Sequence, residues 1–492
     1  MTPRFSSTLT YLLLTAPLFG CMVGPDYVRP PTNITQAFKE EKGWKRAQPH
    51  DHALTGKWWE IFKDAKLNAL EEQVATANQS IIEAEAQYRQ AQHLVQSAQS
   101  SLFPVVNGTA TTNRFRAATG QSVAVSGVRN LFGTALSIAW EPDLWGGVRR
   151  QIETNTSNAQ ASAATLQALR LSIQGNLAEY YFQIKSLDSQ KALLEETVTA
   201  YSKVLSIIQN RYAAGVVAKS DVAQAETQVK STKARAINLG VQRAKLEHAI
   251  AVLIGKTPAS LSIAQEGLNV EPPTIPVSLP SELLERRPDI AAAERKIAAA
   301  NAQIGVAKAA YFPTLNLAAS NGFQSSTLDT LFTTARRYWA LGPAGAALTL
   351  FDGGAKNAQY KQAIDSFDAS VAAYRQTVLT GFQEVEDQLA ALRILDEEMQ
   401  VQNEAVAAAN QALALTTNQY QSGTISYQDV IIVQTQTLNN RQTALQLQGD
   451  RLDASVLLIK ALGGGWHEKL LPTPEEAVGE TKWTDYLIFP VE

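Results

Sequence analysis

A single cysteine, Cys21, stands in 492 residues, so no disulfide can close within the chain. Charge is scarce as well: 18% of residues are charged and the formal net charge is −3, which gives no basic footprint for nucleic acid. No apolar run reaches the ~18–20 residues that a membrane-spanning helix needs. Any passage through a membrane would therefore have to be built from strands. Catalytic signatures are missing too: there is no Gly-x-Ser-x-Gly, no His-Glu-x-x-His and no Gly-x-x-x-x-Gly-Lys-Ser/Thr phosphate cradle. The histidines (His50, His52, His93, His248, His467) are scattered, and His50 and His52 read as a solvated loop. Neither an enzyme nor a metal site is expected.

What the chain has instead is itself, twice. Tyr212-Ala-Ala-Gly215 with Asp221-Val222 returns as Tyr420-Gln-Ser-Gly423 with Asp429-Val430, 208 residues later. Phe103-Pro104 returns as Phe312-Pro313, Gly146-Gly147 as Gly353-Gly354, and Ile254-Gly255 as Leu462-Gly463, all at spacings of 207 to 209. Each copy reads helix, Phe-Pro, two strands, a very long helix, a Tyr-x-x-Gly turn and a return helix. A period this long is too large for a solenoid and implies tandem duplication of one large unit.

The first 20 residues form a targeting segment: Arg4 supplies the charge and Leu9 to Phe19 the apolar core. It ends in Leu18-Phe19-Gly20-Cys21, which resembles a bacterial lipobox. Cys21 is then the lipidation site, carrying diacylglycerol and palmitoyl chains. Met22 after it is similar to the default signal for outer-membrane sorting.

Apolar spacing in the helical stretches outlasts ordinary globular helices. Leu166, Ile173, Tyr180, Leu187, Leu194, Tyr201 and Ile208 keep a seven-residue step, as do Val371, Val378, Val385, Leu392, Met399, Val406, Leu413 and Tyr420. A helix from about Thr154 to Tyr212 is expected, packed on supercoiled neighbours. Gly215 and Gly423 fall just past the helix ends, where a left-handed cap is wanted. Ser220-Asp221 and Ser426 to Asp429 can start the return helices. Each copy thus predicts an antiparallel helical hairpin with a Tyr-x-x-Gly tip.

Four stretches of about ten residues alternate bulky with small or polar residues: Val105 to Phe115, Phe132 to Trp140, Leu315 to Phe323 and Trp339 to Phe351. Trp140, Tyr338 and Trp339 fit an interfacial aromatic belt. Segments 117–130 and 325–337 then read as extracellular loops. Four strands cannot close a barrel, since the smallest use about eight, and open edges are not tolerated in lipid. The physics therefore requires a homo-oligomer of at least two chains, with the number left open.

Lipobox, strand pairs and tip turns together resemble the TolC-type outer-membrane factors, in the lipoprotein branch paired with resistance-nodulation-division (RND) pumps. The likeness covers the mature chain. It rests on Leu279-Pro-Ser-Glu-Leu-Leu-Glu-Arg-Arg-Pro-Asp289-Ile290, Tyr311-Phe-Pro313, Phe382-Gln-Glu-Val-Glu386 and Ala461-Leu-Gly-Gly-Gly-Trp466. Gly24-Pro-Asp-Tyr-x-Arg-Pro30 and Trp58-Trp-Glu-x-Phe62 add to it. The resemblance implies a mixed α and transmembrane β fold: a homotrimer whose 12-stranded β-barrel, four strands per chain, continues into a long α-helical coiled-coil barrel. A belt from 23–63, 271–280 and the tail after Gly463 would surround the tunnel. The organisation expected is 1–20 signal peptide, 21–65 lipidated segment and belt, 66–270 first repeat, 271–285 Pro-rich connector, 286–462 second repeat and 463–492 C-terminal belt segment.

The function so implied is the outer-membrane channel of a tripartite efflux pump, a passive conduit gated at its periplasmic tip. Its partners are a periplasmic membrane-fusion adaptor, an inner-membrane RND pump and outer-membrane lipid. Carried over by position, Tyr420 and Asp429 match aromatic and acidic residues of the family's constriction. Ile425 and Ile432 stand where charges are often found. The expected gate is therefore an apolar collar of Ile425, Ile432 and Val433 beside an Asp429 ring, and Asp429 can alternatively cap its helix, as Asp221 would in the other copy. Gly215 and Gly423 are the expected adaptor contacts. Arg286, Arg287 and Asp289 form a local ion-pair and capping group. The alternative to a channel is a structural or adaptor coiled-coil lipoprotein of the periplasm without a pore.

Overall fold

A computed structural model describes residues 22–31, 37–40, 56–116, 128–273, 275 and 283–479. Cys21, His50 and His52 lie outside these, as do residues 117–127 of the expected loop 117–130 and most of the expected Pro-rich connector.

In the first copy, α1 (Ala65–Ala77) and α2 (Gln79–Ser100) lead into β1 (Val105–Arg116) and β2 (Val128–Trp140). The long α3 (Gly147–Ala213) and the return helix α4 (Lys219–Leu253) follow. The second copy runs α5 (Leu283–Arg286), α6 (Pro288–Ala309), β3 (Thr314–Ser325), β4 (Arg337–Ala347), α7 (Ala355–Gln421) and α8 (Tyr427–Ala461). Helices α3 and α7 each have 67 residues, about 100 Å at 1.5 Å per residue.

Helix α3 starts at Gly147, earlier than the apolar pattern predicts, and the reason is visible at its beginning. The largely polar run Thr154 to Gln160 is half-buried or buried at every residue but Asn158, so it is helical without an apolar signature. Asp143 accepts from the amides of Val148 and Arg149, and Asp352 accepts from those of Gly354 and Lys356. The same carboxylate device opens both long helices, each neutralising free N–H groups of the first turn.

The seven-residue series face inward. Leu166, Ile173, Leu194, Tyr201 and Ile208 are buried, as are Val378, Val385, Leu392, Met399 and Tyr420. The two copies do not stand apart. Helix α3 packs on α6 and α8 of the other copy as well as on α2 and α4, and α7 packs on α6 and α8. The largest core gathers Trp58, Phe62, Leu177, Tyr181, Phe182, Ile250, Val385 and Leu452. There Lys185 Nζ meets Asp64 at 2.7 Å, and Asp64 also accepts from Tyr181 and caps α1. The tail docks lower-numbered helices: Trp466 packs with Ala164 and Ala291, and Ala477 with Val95 and Ala159.

The strands make one antiparallel sheet in the order β1-β2-β3-β4. Strand β4 ends at Ala347, short of the expected Phe351. Leu350 and Phe351 are exposed next to the Asp352 turn that opens α7. Register places Phe132, Thr134, Leu136, Ile138 and Trp140 on the same face as Phe323, Ala319 and Leu317. Gly133, Ala135, Ser137 and Ala139 share the other face with Gln324, Gly322, Ser320 and Ala318. One face is bulky and apolar, the other small and polar. In β1 the polar face continues as Asn107, Thr109 and Thr111.

The segment after Cys21 is a strap along the sheet-proximal parts of α3 and α6. Val23 N donates to Trp145 O at 3.1 Å. The buried Arg150 donates to the carbonyls of Val23 and Gly24 and pairs with Asp26 and Glu153, both at 2.7 Å. Asn301 donates to Pro25 O, and the Tyr27 hydroxyl to Glu294.

Candidate functional site

The two hairpin tips lie side by side, because residues from both share one apolar cluster. Ile208, Ala225, Tyr420, Tyr427 and Val430 form its buried part, and Ile425, Ile431, Val217 and Val222 pack against it. Tyr420 and Tyr427 meet at 5.6 Å between ring centroids, and the Arg211 guanidinium sits 5.1 Å over the Tyr420 ring. Gln228 Nε2 donates to Thr435 Oγ1 at 3.2 Å, a polar link between the return helices.

The turns themselves are built alike. Gly215 has φ 74° and Gly423 φ 80°, left-handed values at which a Cβ is strained. Gly215 N donates to Tyr212 O and Gly423 N to Tyr420 O, satisfying terminal helix carbonyls. An added Cβ would meet no atom within 4 Å at either glycine, so both lie in open space.

The tips differ at the next step. Ser426 and Asp429 form a capping box, in which the Ser426 side chain faces the Asp429 amide while Ser426 N and Oγ donate to Asp429 Oδ2, at 3.1 and 2.6 Å. These bonds hold the Asp429 carboxyl below the usual carboxylate range, so it stays ionised. In the first copy Ala218 stands at the cap position and makes no side-chain bond.

Of the expected collar, the fold divides the members. Tyr420 is buried in the seam between the hairpins, and Ile425 is half-buried on the same cluster. Val433 is also half-buried. Asp429 and Ile432 are exposed, Ile432 to 61%, and with Gln436 they follow the i, i+3, i+7 spacing of one exposed face of α8. Arg287 is more than a local cap: it reaches Asp289 at 2.7 Å, Glu384 at 2.6 Å and the Ala461 carbonyl at 3.1 Å, joining α6, α7 and the end of α8. The role of Arg150 in holding the strap carried no signal in the sequence, since Val23, Gly24 and Asp26 are brought to it from more than a hundred residues away.

A sheet with one apolar face, joined without interruption to helical hairpins of about 100 Å, is the architecture of a channel wall. The sequence profile described as outer membrane efflux protein matches residues 70–256 and 279–464. The chain belongs to that family. A probable efflux pump outer membrane protein of Pseudomonas putida, TtgC, is 31% identical over 475 residues, covering 94% of this chain and 96% of the relative. The pyoverdine export outer membrane protein OpmQ of Pseudomonas aeruginosa is 31% identical over 420 residues, covering 83% and 87%. Among solved structures, the outer-membrane channel OprN superposes with a TM-score of 0.84 at 28% identity, covering 91% of this chain and all of OprN's. The open state of the Neisseria gonorrhoeae MtrE outer membrane channel gives 0.80 at 27%, covering 91% and 99%. This efflux protein therefore resides in the outer membrane, with its helices extending into the periplasm. The pore-free periplasmic lipoprotein is set aside.

Proposed function

We propose that three copies of this efflux protein close their sheets into one twelve-stranded barrel and their hairpins into one tunnel, forming a passive export conduit. The observation that carries this reading is the sheet order: β1 and β4 are both edges, each with a row of free backbone groups that lipid cannot satisfy. Two copies would reach the smallest closure of about eight strands, and the family resemblance sets the number at three. The chain contributes no bond-making chemistry. The cargo is whatever small molecule an inner-membrane RND pump selects, and a periplasmic membrane-fusion adaptor hands it to the tips at Gly215 and Gly423, where the open surroundings admit another backbone. Relatives named for toluene, antibiotic and pyoverdine export favour a broad class of small toxic or secreted compounds.

Cys21 carries the lipid in this reading. The strap supports it, because Val23, two residues on, is tied to Trp145 just beyond the end of β2. Purified protein in a planar bilayer should conduct, and should migrate as a heat-sensitive trimer on a gel. A monomer without conductance ends the proposal.

The gate belongs to the exposed face of α8. Repeated about a three-fold axis, Ile432 forms the apolar collar and Asp429 an anionic ring next to it, with Tyr420, Ile425 and Val433 as its packed support. Asp429→Ala combined with Ile432→Ser should raise uptake of a bulky antibiotic several-fold. Unchanged permeability removes this face from the gate.

A further inference from the structure

The charge on the sheet is confined to one end and is almost all of one kind. Across 105–140 and 314–347 the basic residues are five arginines, Arg114, Arg116, Arg129, Arg336 and Arg337, and the only acid is Asp329. There is no lysine. All five arginines are exposed, and all lie at the end of the sheet away from the helices: the end of β1, the start of β2, and the turn into β4. Register sorts them by face. Arg114 and Arg116 pair with Asn130 and Val128, on the face of Leu136 and Ile138. Arg337 pairs with Phe323, which pairs with Thr134 on that same apolar face. Arg129 lies opposite Phe115 on the small, polar face.

Three guanidinium groups thus stand at the outer margin of the face that meets lipid. They sit on the two edge strands. Antiparallel closure of β4 on the β1 of the next copy sets the start of β4 beside the end of β1. Arg337 of one copy then comes next to Arg114 and Arg116 of its neighbour, on strands about 5 Å apart. Like charges on adjacent strands are destabilising unless something anionic lies between them.

We propose that each subunit seam of this efflux protein is a binding site for the phosphate groups of the anionic glycolipid in the outer leaflet, built from Arg114 and Arg116 of one copy and Arg337 of the next. The site rests on the assembly reading above. Arginine suits it because the planar fork takes two phosphate oxygens at once, where lysine offers a point charge. The position suits a lipid because the apolar half of the same face receives acyl chains directly beneath the arginines. The bound headgroup would neutralise the clustered charge and join adjacent copies.

Native mass spectrometry of the detergent-solubilised full-length assembly tests this with diphosphoryl lipid A, the same lipid dephosphorylated, and inorganic phosphate. The wild type should retain the diphosphoryl form at about tenfold lower concentration than the dephosphorylated one, as charged hydrogen bonds of ordinary strength allow. Arg114→Gln with Arg116→Gln and Arg337→Gln should lose that preference, and Arg129→Gln should keep it. A triple variant that still discriminates, or displacement of the lipid by equimolar inorganic phosphate, overturns the proposal. The same spectrum reads the assembly mass. A monomer sinks the trimer and the site together, and a trimer indifferent to phosphorylation sinks the site alone.

Discussion

Arg287→Ala should lower the stability of the protein by about 3 kcal/mol, the low end for breaking a buried ion pair. Arg287 is only 7% exposed and holds three separate elements: Asp289 at the start of α6, Glu384 in the middle of α7, and the Ala461 carbonyl at the end of α8. Its loss leaves that carbonyl without this donor and frees two carboxylates. The cost is not larger because the side chains of Asp289 and Glu384 are 37% and 49% exposed and keep their contact with water. Arg287→Lys keeps the charge but cannot span all three partners, and should recover less than half of the loss. The measurement is the temperature at which the assembly dissociates on a gel, with circular dichroism of the helices as a second probe. Equal melting of wild type and Arg287→Ala would remove this residue as the joint between α6, α7 and α8.

Gly322→Val should abolish assembly in the outer membrane. Gly322 lies in β3 opposite Ala135 of β2, and a Cβ there would stand 2.1 Å from the Thr134 carbonyl oxygen and 2.9 Å from the Ala135 Cα. Both are backbone atoms, so no rotamer change can make room. Overpacking ordinarily costs about 1–3 kcal/mol, and separation of two central strands costs ladder hydrogen bonds besides. Gly345→Ala is the matched control, since its Cβ would meet nothing within 4 Å. Outer-membrane fractions should contain the control as an oligomer and the Gly322 variant little or not at all. Normal assembly of Gly322→Val would mean that β2 and β3 do not approach this closely.

Much of this architecture is legible in the residues alone because it is periodic. The 208-residue offset between Tyr212 and Tyr420, the seven-residue steps from Leu166 and Val371, and the alternation through Phe132 to Trp140 are properties of order along the chain. They report hairpins and strands without reference to tertiary contact. The start of α3 was hidden for the opposite reason: Thr154 and Ser157 are buried polar residues, tolerated where partners are at hand, such as the Arg150 carbonyl under Thr154 Oγ1. The capping box was visible as Ser426 three places before Asp429. The burial of Tyr420 was not, because its neighbours Ile208, Ala225 and Tyr427 come together only once two hairpins lie side by side. The Arg150 strap depends likewise on residues 23–26 reaching back from the start of the chain.

The interlocking of the two copies has a consequence for ancestry. Strand β2 pairs with β3, and α3 lies against α6 and α8, so the duplicated halves are joined through both the sheet and the helices. Half a gene would yield a product with two bare ribbons and an unclad rod. A single-unit forebear must have found those surfaces on its sisters, in a ring of twice as many chains. Fusion made half of those encounters obligatory and left selection free to treat alternate fingertips differently, as the Ser426 in one and the Ala218 in the other already record.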